Sequence, residues 1–157
     1  MLVMTLTPKI EKVYIIHYNK LTDRKNNIVN YLSGNNITNY EFRNLYQREE
    51  LTDELKNQYF KLNNLNSSQI CITIEHIETY REIAKNGNNE SWYLILEDDA
   101  IFCNDFISSL NEYMNNIPND AEYLDINDYF VINSNNMWES RNSTRTTCSY
   151  LIKKKNM

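Results

Sequence analysis

The 157-residue sequence predicts an α/β domain in which a mainly parallel sheet carries helices on both faces. Strand-like and helix-like segments alternate along the chain, which requires crossover connections between parallel strands. Two segments, "KVYIIHY" (12–18) and "WYLIL" (92–96), are apolar without alternation, as strands covered on both faces are. A third, "SSQICITIEHIETYREIAKNG" (67–87), repeats its apolar residues at helical spacing.

The first strand is expected at 12–18, where β-branched and aromatic residues run together. A helix follows over 21–36, with Thr22 as N-cap, Asp23 in its first turn, Ile28, Val29, Tyr31 and Leu32 at helical spacing and Gly34 as its stop. "ITNYEFRNL" (37–45) alternates as a second strand, and "REELTDELKNQYFKL" (48–62) reads as a short surface helix. The clearest helix opens at Ser67 or Ser68 and closes at Gly87. Ile70, Ile74, Ile77 and Ala84 lie on one side of it, Ile72, His76, Tyr80 and Ile83 on the next, and Glu75, Glu78, Glu82 and Lys85 on the wet side. After the strand at 92–96, Asn104 is placed to cap a helix through Phe106, Leu110, Tyr113 and Ile117, stopped by Pro118. "EYLDIN" (122–127), "YFVIN" (129–133) and "TTCSYLI" (146–152) read as short strands, and 133–145 as loop. No repeat or linker divides the chain, so residues 1–157 are expected to form a single domain.

A hydrophobic fraction of 41% argues for a folded globule. Asparagine accounts for 26 residues, scattered singly and in six pairs, which suggests the codon bias of an AT-rich genome, such as that of a virus, and not a functional tract. A net charge of −5 argues against nucleic acid as a partner, since the only basic run is Lys153-Lys154-Lys155. No segment reaches membrane-spanning length and none reads as a signal peptide, so a soluble, cytoplasmic protein is expected. Cys71, Cys103 and Cys148 are too few and too far apart for a disulfide framework or a zinc cluster. With only Gly34 and Gly87, glycine-rich phosphate loops are excluded, and neither a metalloprotease nor a serine hydrolase motif occurs.

The chemistry-bearing stretch is Glu97-Asp98-Asp99, which ends the strand at 92–96. Three adjacent carboxylates repel one another, and a divalent cation is the simplest compensation. Hard oxygen donors suit Mg²⁺, Mn²⁺ or Ca²⁺, with substrate phosphates completing the shell. If the strand persists, residues 97 and 99 share one face and 98 takes the other. Asp99 is therefore favoured as the direct ligand, with Asp98 or Glu97 in support; capping or loop acids after a strand are the other reading of the same residues.

The ordered set "VYIIHYNKLTDR", "IEHIETY", "YLILEDDAIF" and "CSYLIKKK" resembles glycosyltransferase family 25, which includes lipooligosaccharide and collagen-type galactosyltransferases. The resemblance implies a GT-A-like nucleotide-sugar fold and inverting transfer of a hexose, galactose or glucose, from a UDP-sugar to a hydroxyl of a glycan or protein acceptor. It also implies Mn²⁺ or Mg²⁺ at an acidic motif of the DxD kind. By position, Glu97, Asp98 and Asp99 match that motif, and Asp23 and Arg24 match the first strand–helix turn. Arg24 is the candidate for a bidentate phosphate contact, and His76 is assigned support behind the acidic motif.

Family members usually continue past "CSYLIKKKNM" into a region that shapes the acceptor site, so the chain is expected to lack that C-terminal part. An inverting transfer needs a base for the acceptor hydroxyl, and Asp125 and Asp128 are the acids placed for it. Trp138 is a candidate for stacking on an acceptor sugar. Two other readings stay open on the sequence: a catalytically incomplete remnant that still binds a nucleotide sugar, and a non-enzymatic domain that associates with itself.

Overall fold

The computed structural model describes residues 6–61, 64–126 and 148–155. The expectations for 129–133, the loop at 133–145, Asp128 and Trp138 lie outside the described residues.

The chain begins with strand β1 (Ile10–Ile16), helix α1 (Thr22–Gly34) and strand β2 (Tyr40–Arg43). A single 3₁₀ turn (Arg48–Glu50) and helix α2 (Asp53–Tyr59) replace the continuous helix expected over 48–62. The break falls where Thr52 takes an extended backbone and its hydroxyl accepts from Leu55 N, so that a new helix is capped inside the span. Helix α3 (Ser67–Asn86), strand β3 (Trp92–Glu97), helix α4 (Phe106–Asn116), strand β4 (Tyr123–Asp125) and strand β5 (Ser149–Lys153) follow. Three caps differ from expectation. Leu21, not Thr22, precedes α1, and Asp105, not Asn104, precedes α4. Asn66 caps α3 through a reciprocal pair, its side chain accepting from Gln69 N while the Gln69 side chain accepts from Asn66 N.

The sheet order is β2-β1-β3-β5-β4. β1 pairs in parallel with both β2 and β3, while β5 runs antiparallel to β3 and to β4. The sheet is thus mixed, parallel in one half only. The crossover from β3 through α4 to β4 skips one position, and β5 fills that slot in the opposite direction.

Alternate residues of the central strands feed two cores. Val13, Ile15, Leu94, Leu96 and Leu151 pack against Ile28 and Leu32 of α1 and against Ile107, Leu110 and Met114 of α4. On the other face Tyr14, Ile16, Tyr93, Ile95 and Tyr150 meet Ile83 of α3. Burial of each such aliphatic side chain is worth roughly 1.5–3 kcal/mol, so helices on both faces follow from strands apolar on both faces. The turn after α3 depends on its glycine. A Cβ at position 87 would lie 2.6 Å from the Ile83 carbonyl oxygen and 2.8 Å from the Tyr93 hydroxyl, the same hydroxyl that accepts from Asn88 N at 2.6 Å.

The buried side of α3 is not the one its apolar residues define. Glu75, expected to be wet, is 2% exposed, and Cys71 and Thr79 are buried with it, whereas Ala84 is exposed. The loop after β2 explains the rotation: the Tyr46 N–H donates to Glu75 Oε1 at 2.6 Å, giving a buried carboxylate a partner that sequence periodicity does not count.

Candidate active site

The parallel register aligns Ile16 of β1 with Glu97 of β3. The residues after those two strand ends, His17 and Asp98, therefore become neighbours. His17 Nδ1 and Asp98 Oδ2 are 2.8 Å apart, the Tyr18 N–H donates to the same oxygen at 3.3 Å, and Arg24 Nη1 donates to Asp98 Oδ1 at 3.0 Å. Both Asp98 oxygens are thereby engaged. The histidine side chain is fully buried and the Asp98 side chain 8% exposed, whereas Arg24 is 46% exposed. Arg24 Nη1 also reaches Asp99 Oδ2 at 3.0 Å. The Asp98 hydrogen bond, reinforced by both carboxylates, raises the guanidinium above its ordinary value.

β3 ends at Glu97 and residues 98 and 99 form a turn, so strand alternation does not extend to Asp99, yet the turn still brings Glu97 and Asp99 together. Their carboxylates come together with the Cys148 thiol, one ligand atom from each residue lying within 4.8 Å of the others. Cys148 reaches the cluster because β5 is antiparallel to β3, with Leu96 opposite Ser149. Behind the cluster, His76 Nε2 lies 3.5 Å from Glu97 Oε1, close enough for attraction but long for a hydrogen bond, while Nδ1 and the Tyr150 hydroxyl are 2.6 Å apart. Burial pushes the Tyr150 hydroxyl far above its ordinary range, so it stays protonated. If Tyr150 donates to Nδ1, the imidazole proton sits on Nε2, facing Glu97. Tyr80 extends the chain, its hydroxyl 2.7 Å from that of Tyr150.

The other residues singled out in the sequence lie as follows. Asp23 is exposed in the first turn of α1, where a negative charge complements the helix dipole. Asp125 ends β4 opposite Tyr150, which pairs in turn with Ile95. That puts Asp125 at the carboxyl end of a strand parallel to β3 and two strands from it, roughly 10 Å across the sheet.

A cleft opens at these strand ends, walled by Tyr18, Arg24, Tyr46, Arg48 and Asp99, with Glu75 of α3 set into it. His17, Glu75 and Cys148 join the acidic triplet although none was singled out as a site residue, His17 and Cys148 only lying within the quoted motifs. For His17 a signal existed, since "IIHY" and "LEDD" fall into step once their strands are taken as parallel neighbours. For Glu75 and Cys148 none did: one depends on a loop amide and the other on antiparallel register.

Burial pushes the Glu75 carboxyl up, and the Tyr46 amide and the Arg43 charge only partly offset it. Folding therefore favours the protonated acid, so as pH rises from the ordinary value of 4.5 the ionised residue costs the fold stability. We expect Glu75→Gln to raise the melting temperature at neutral pH by a few degrees, about 2–5 °C, and the gain to shrink towards pH 4. Melts across that range check it.

A five-stranded α/β sheet flanked by helices, with its polar cleft at the carboxyl ends of parallel strands, is compatible with an α/β glycosyltransferase fold. The chain belongs to glycosyltransferase family 25: residues 10–157 match the family model described as glycosyltransferase family 25 (LPS biosynthesis protein). No curated protein matches the sequence. Membership implies a sugar donor and an acceptor as partners. Among the described residues no helix is long and apolar enough to cross a membrane.

Proposed function

We propose that the protein is a metal-dependent inverting glycosyltransferase of GT-A type, transferring galactose or glucose from a UDP-sugar to a hydroxyl of a glycan or protein acceptor. Beyond family membership, the observation that carries this reading is the pairing of the Glu97 and Asp99 carboxylates, beside a charged Arg24, at the carboxyl end of β3.

The donor set suits Mn²⁺ or Mg²⁺. Two carboxylates are hard oxygen ligands, while a single thiol falls short of the sulfur-rich sets that select zinc. Glu97 and Asp99 are the residues to hold the ion, with Cys148 adjacent and His76 orienting Glu97. When bound, the ion would neutralise charge on the diphosphate leaving group.

The rest falls to the chain. Arg24 has the planar fork that suits a phosphate and is exposed enough to reach one. Asp98, held from three sides, positions Arg24. The acceptor hydroxyl must give its proton to a base as its oxygen bonds the anomeric carbon, while the bond from that carbon to UDP breaks on the opposite face. Asp125 is the base we favour among the described residues, because it ends a strand parallel to β3 on the triplet's side of the sheet.

The test is calorimetric titration of UDP, UDP-galactose and UDP-glucose with and without Mn²⁺, followed by assay of UDP release with glycan and protein acceptors. We expect binding that disappears on chelation and returns with metal. Equal binding with and without metal would remove the ion from the proposal, and absence of nucleotide binding under every condition would remove the donor.

A further inference from the structure

Glu75 is the one buried acid of the cleft that the transfer reaction above leaves unused. Its residue is 2% exposed, and only Oε1 is satisfied, by the Tyr46 N–H; Oε2 is buried and has no hydrogen-bond partner. Leaving a buried carboxylate oxygen unpaired is costly, and here the cost is increased by burial of the charge itself. Oε1 already ties α3 to the loop after β2, which leaves Oε2 as the oxygen open to a ligand.

The surroundings define what could satisfy the orphan oxygen. Tyr46 and Arg48 border the cleft on the β2 side, and the Arg48 guanidinium lies over the Tyr18 ring, 4.2 Å from its centroid. Ile72 and Cys71 of α3 add apolar wall. Arg24 and the Glu97–Asp99 pair lie on the opposite side, towards β3. A ligand with its diphosphate near Arg24 would lay its nucleoside along the Tyr18–Tyr46 side, with Glu75 at the bottom. A carboxylate there accepts hydrogen bonds and rejects a phosphate, which suits a neutral group with O–H or N–H donors.

We propose that Glu75 is a specificity residue for the donor nucleotide, its Oε2 accepting a hydrogen bond from an O–H or N–H of the nucleoside. This rests on the nucleotide-sugar reading of the same cleft. The Tyr46 N–H holds an acceptor at Oε1, so a glutamine at this position would present its NH₂ where Oε2 stands, replacing an acceptor by a donor. The two sources of the ligand's proton, a ribose hydroxyl and the base N–H, are separable with analogues that lack one or the other.

The experiment is calorimetry with Mn²⁺ on wild type and Glu75→Gln, using UDP, 2′,3′-dideoxy-UDP and 3-methyl-UDP. We expect the variant to bind UDP about tenfold more weakly, the loss expected when one charge-assisted hydrogen bond goes, while its melting temperature is unchanged or raised. The tenfold difference should vanish for one analogue: for 2′,3′-dideoxy-UDP if a ribose hydroxyl is the partner, for 3-methyl-UDP if the base is. Wild type and variant binding UDP within twofold of each other would overturn the assignment of Glu75 and leave the nucleotide site standing. A tenfold loss that persists for both analogues would also overturn it, since the effect would then not arise at the nucleoside. Wild type binding no UDP would overturn the nucleotide reading and this inference together.

Discussion

Asp98→Ala should be the most damaging single substitution in the cleft, lowering stability by about 3 kcal/mol and the melting temperature by roughly 10 °C. The carboxylate is the shared acceptor of His17 Nδ1, the Tyr18 amide and Arg24 Nη1. Its removal leaves a fully buried imidazole facing a void, and frees an arginine whose pairing with Asp98 sets its direction. Asp98→Asn should cost about half as much, because one amide oxygen can still accept from His17 and Tyr18 while the ionic attraction to Arg24 is lost. Arg24→Ala should cost less than either, since that side chain is half in water and surface pairs are worth little. Chemical denaturation of the three variants checks the order, and equal stability of Asp98→Ala and wild type would refute the structural role. The same order should not hold for donor affinity, where Arg24→Ala is expected to match Asp98→Ala because each removes a correctly aimed guanidinium.

That difference shows how far local sequence can carry a reading of the site. Period-two reasoning separates residue 98 from 97 and 99 only if the strand persists, and it stops at Glu97: in the turn that follows, Arg24 bonds both Asp98 and Asp99, while Glu97 and Asp99 gather with Cys148. Which acid would be tied up was not legible, because that depends on Arg24 reaching across from a different element. The supporting role of His76 on α3 came from the resemblance, and the residue lies 3.5 Å behind Glu97. Glu75, one residue earlier on that helix, was misread as solvated because periodicity scores apolar residues and cannot register a backbone N–H offered by the loop at Tyr46.

The fold was legible where a segment's own pattern decides its state. "VYII" and "WYLIL" lack alternation because helices cover both faces, and α1, α3 and α4 lie where their apolar spacing calls for them. It was illegible where the decision is tertiary. The direction of β5 is set by the slot between β3 and β4, not by "SYLIK" itself, whose pattern fits either orientation equally well. The division of 48–62 into a 3₁₀ turn and α2 is a smaller case, settled by the Thr52 cap over a continuous helical pattern.

Asp99→Asn should abolish metal-dependent donor binding, with a loss of two to three orders of magnitude in turnover, as expected when charge stabilisation of the leaving group is removed. Its side chain is 46% exposed and its partner Arg24 keeps Asp98, so the fold should lose less than about 1 kcal/mol. Large functional loss with small structural loss is the reverse of the stability cost expected at Asp98, and the contrast distinguishes a ligand from a scaffold. Glu97→Gln should resemble Asp99→Asn in metal affinity. It should also uncouple His76, so that His76→Ala weakens metal binding in the wild type and adds little in the Glu97→Gln background, a non-additivity that a double-mutant cycle measures. Manganese titration of wild type and the four variants reads all of these effects. Unchanged manganese affinity in both Asp99→Asn and Glu97→Gln would show that the carboxylates at the end of β3 do not hold the ion, and the search for it would move to other acids of the chain.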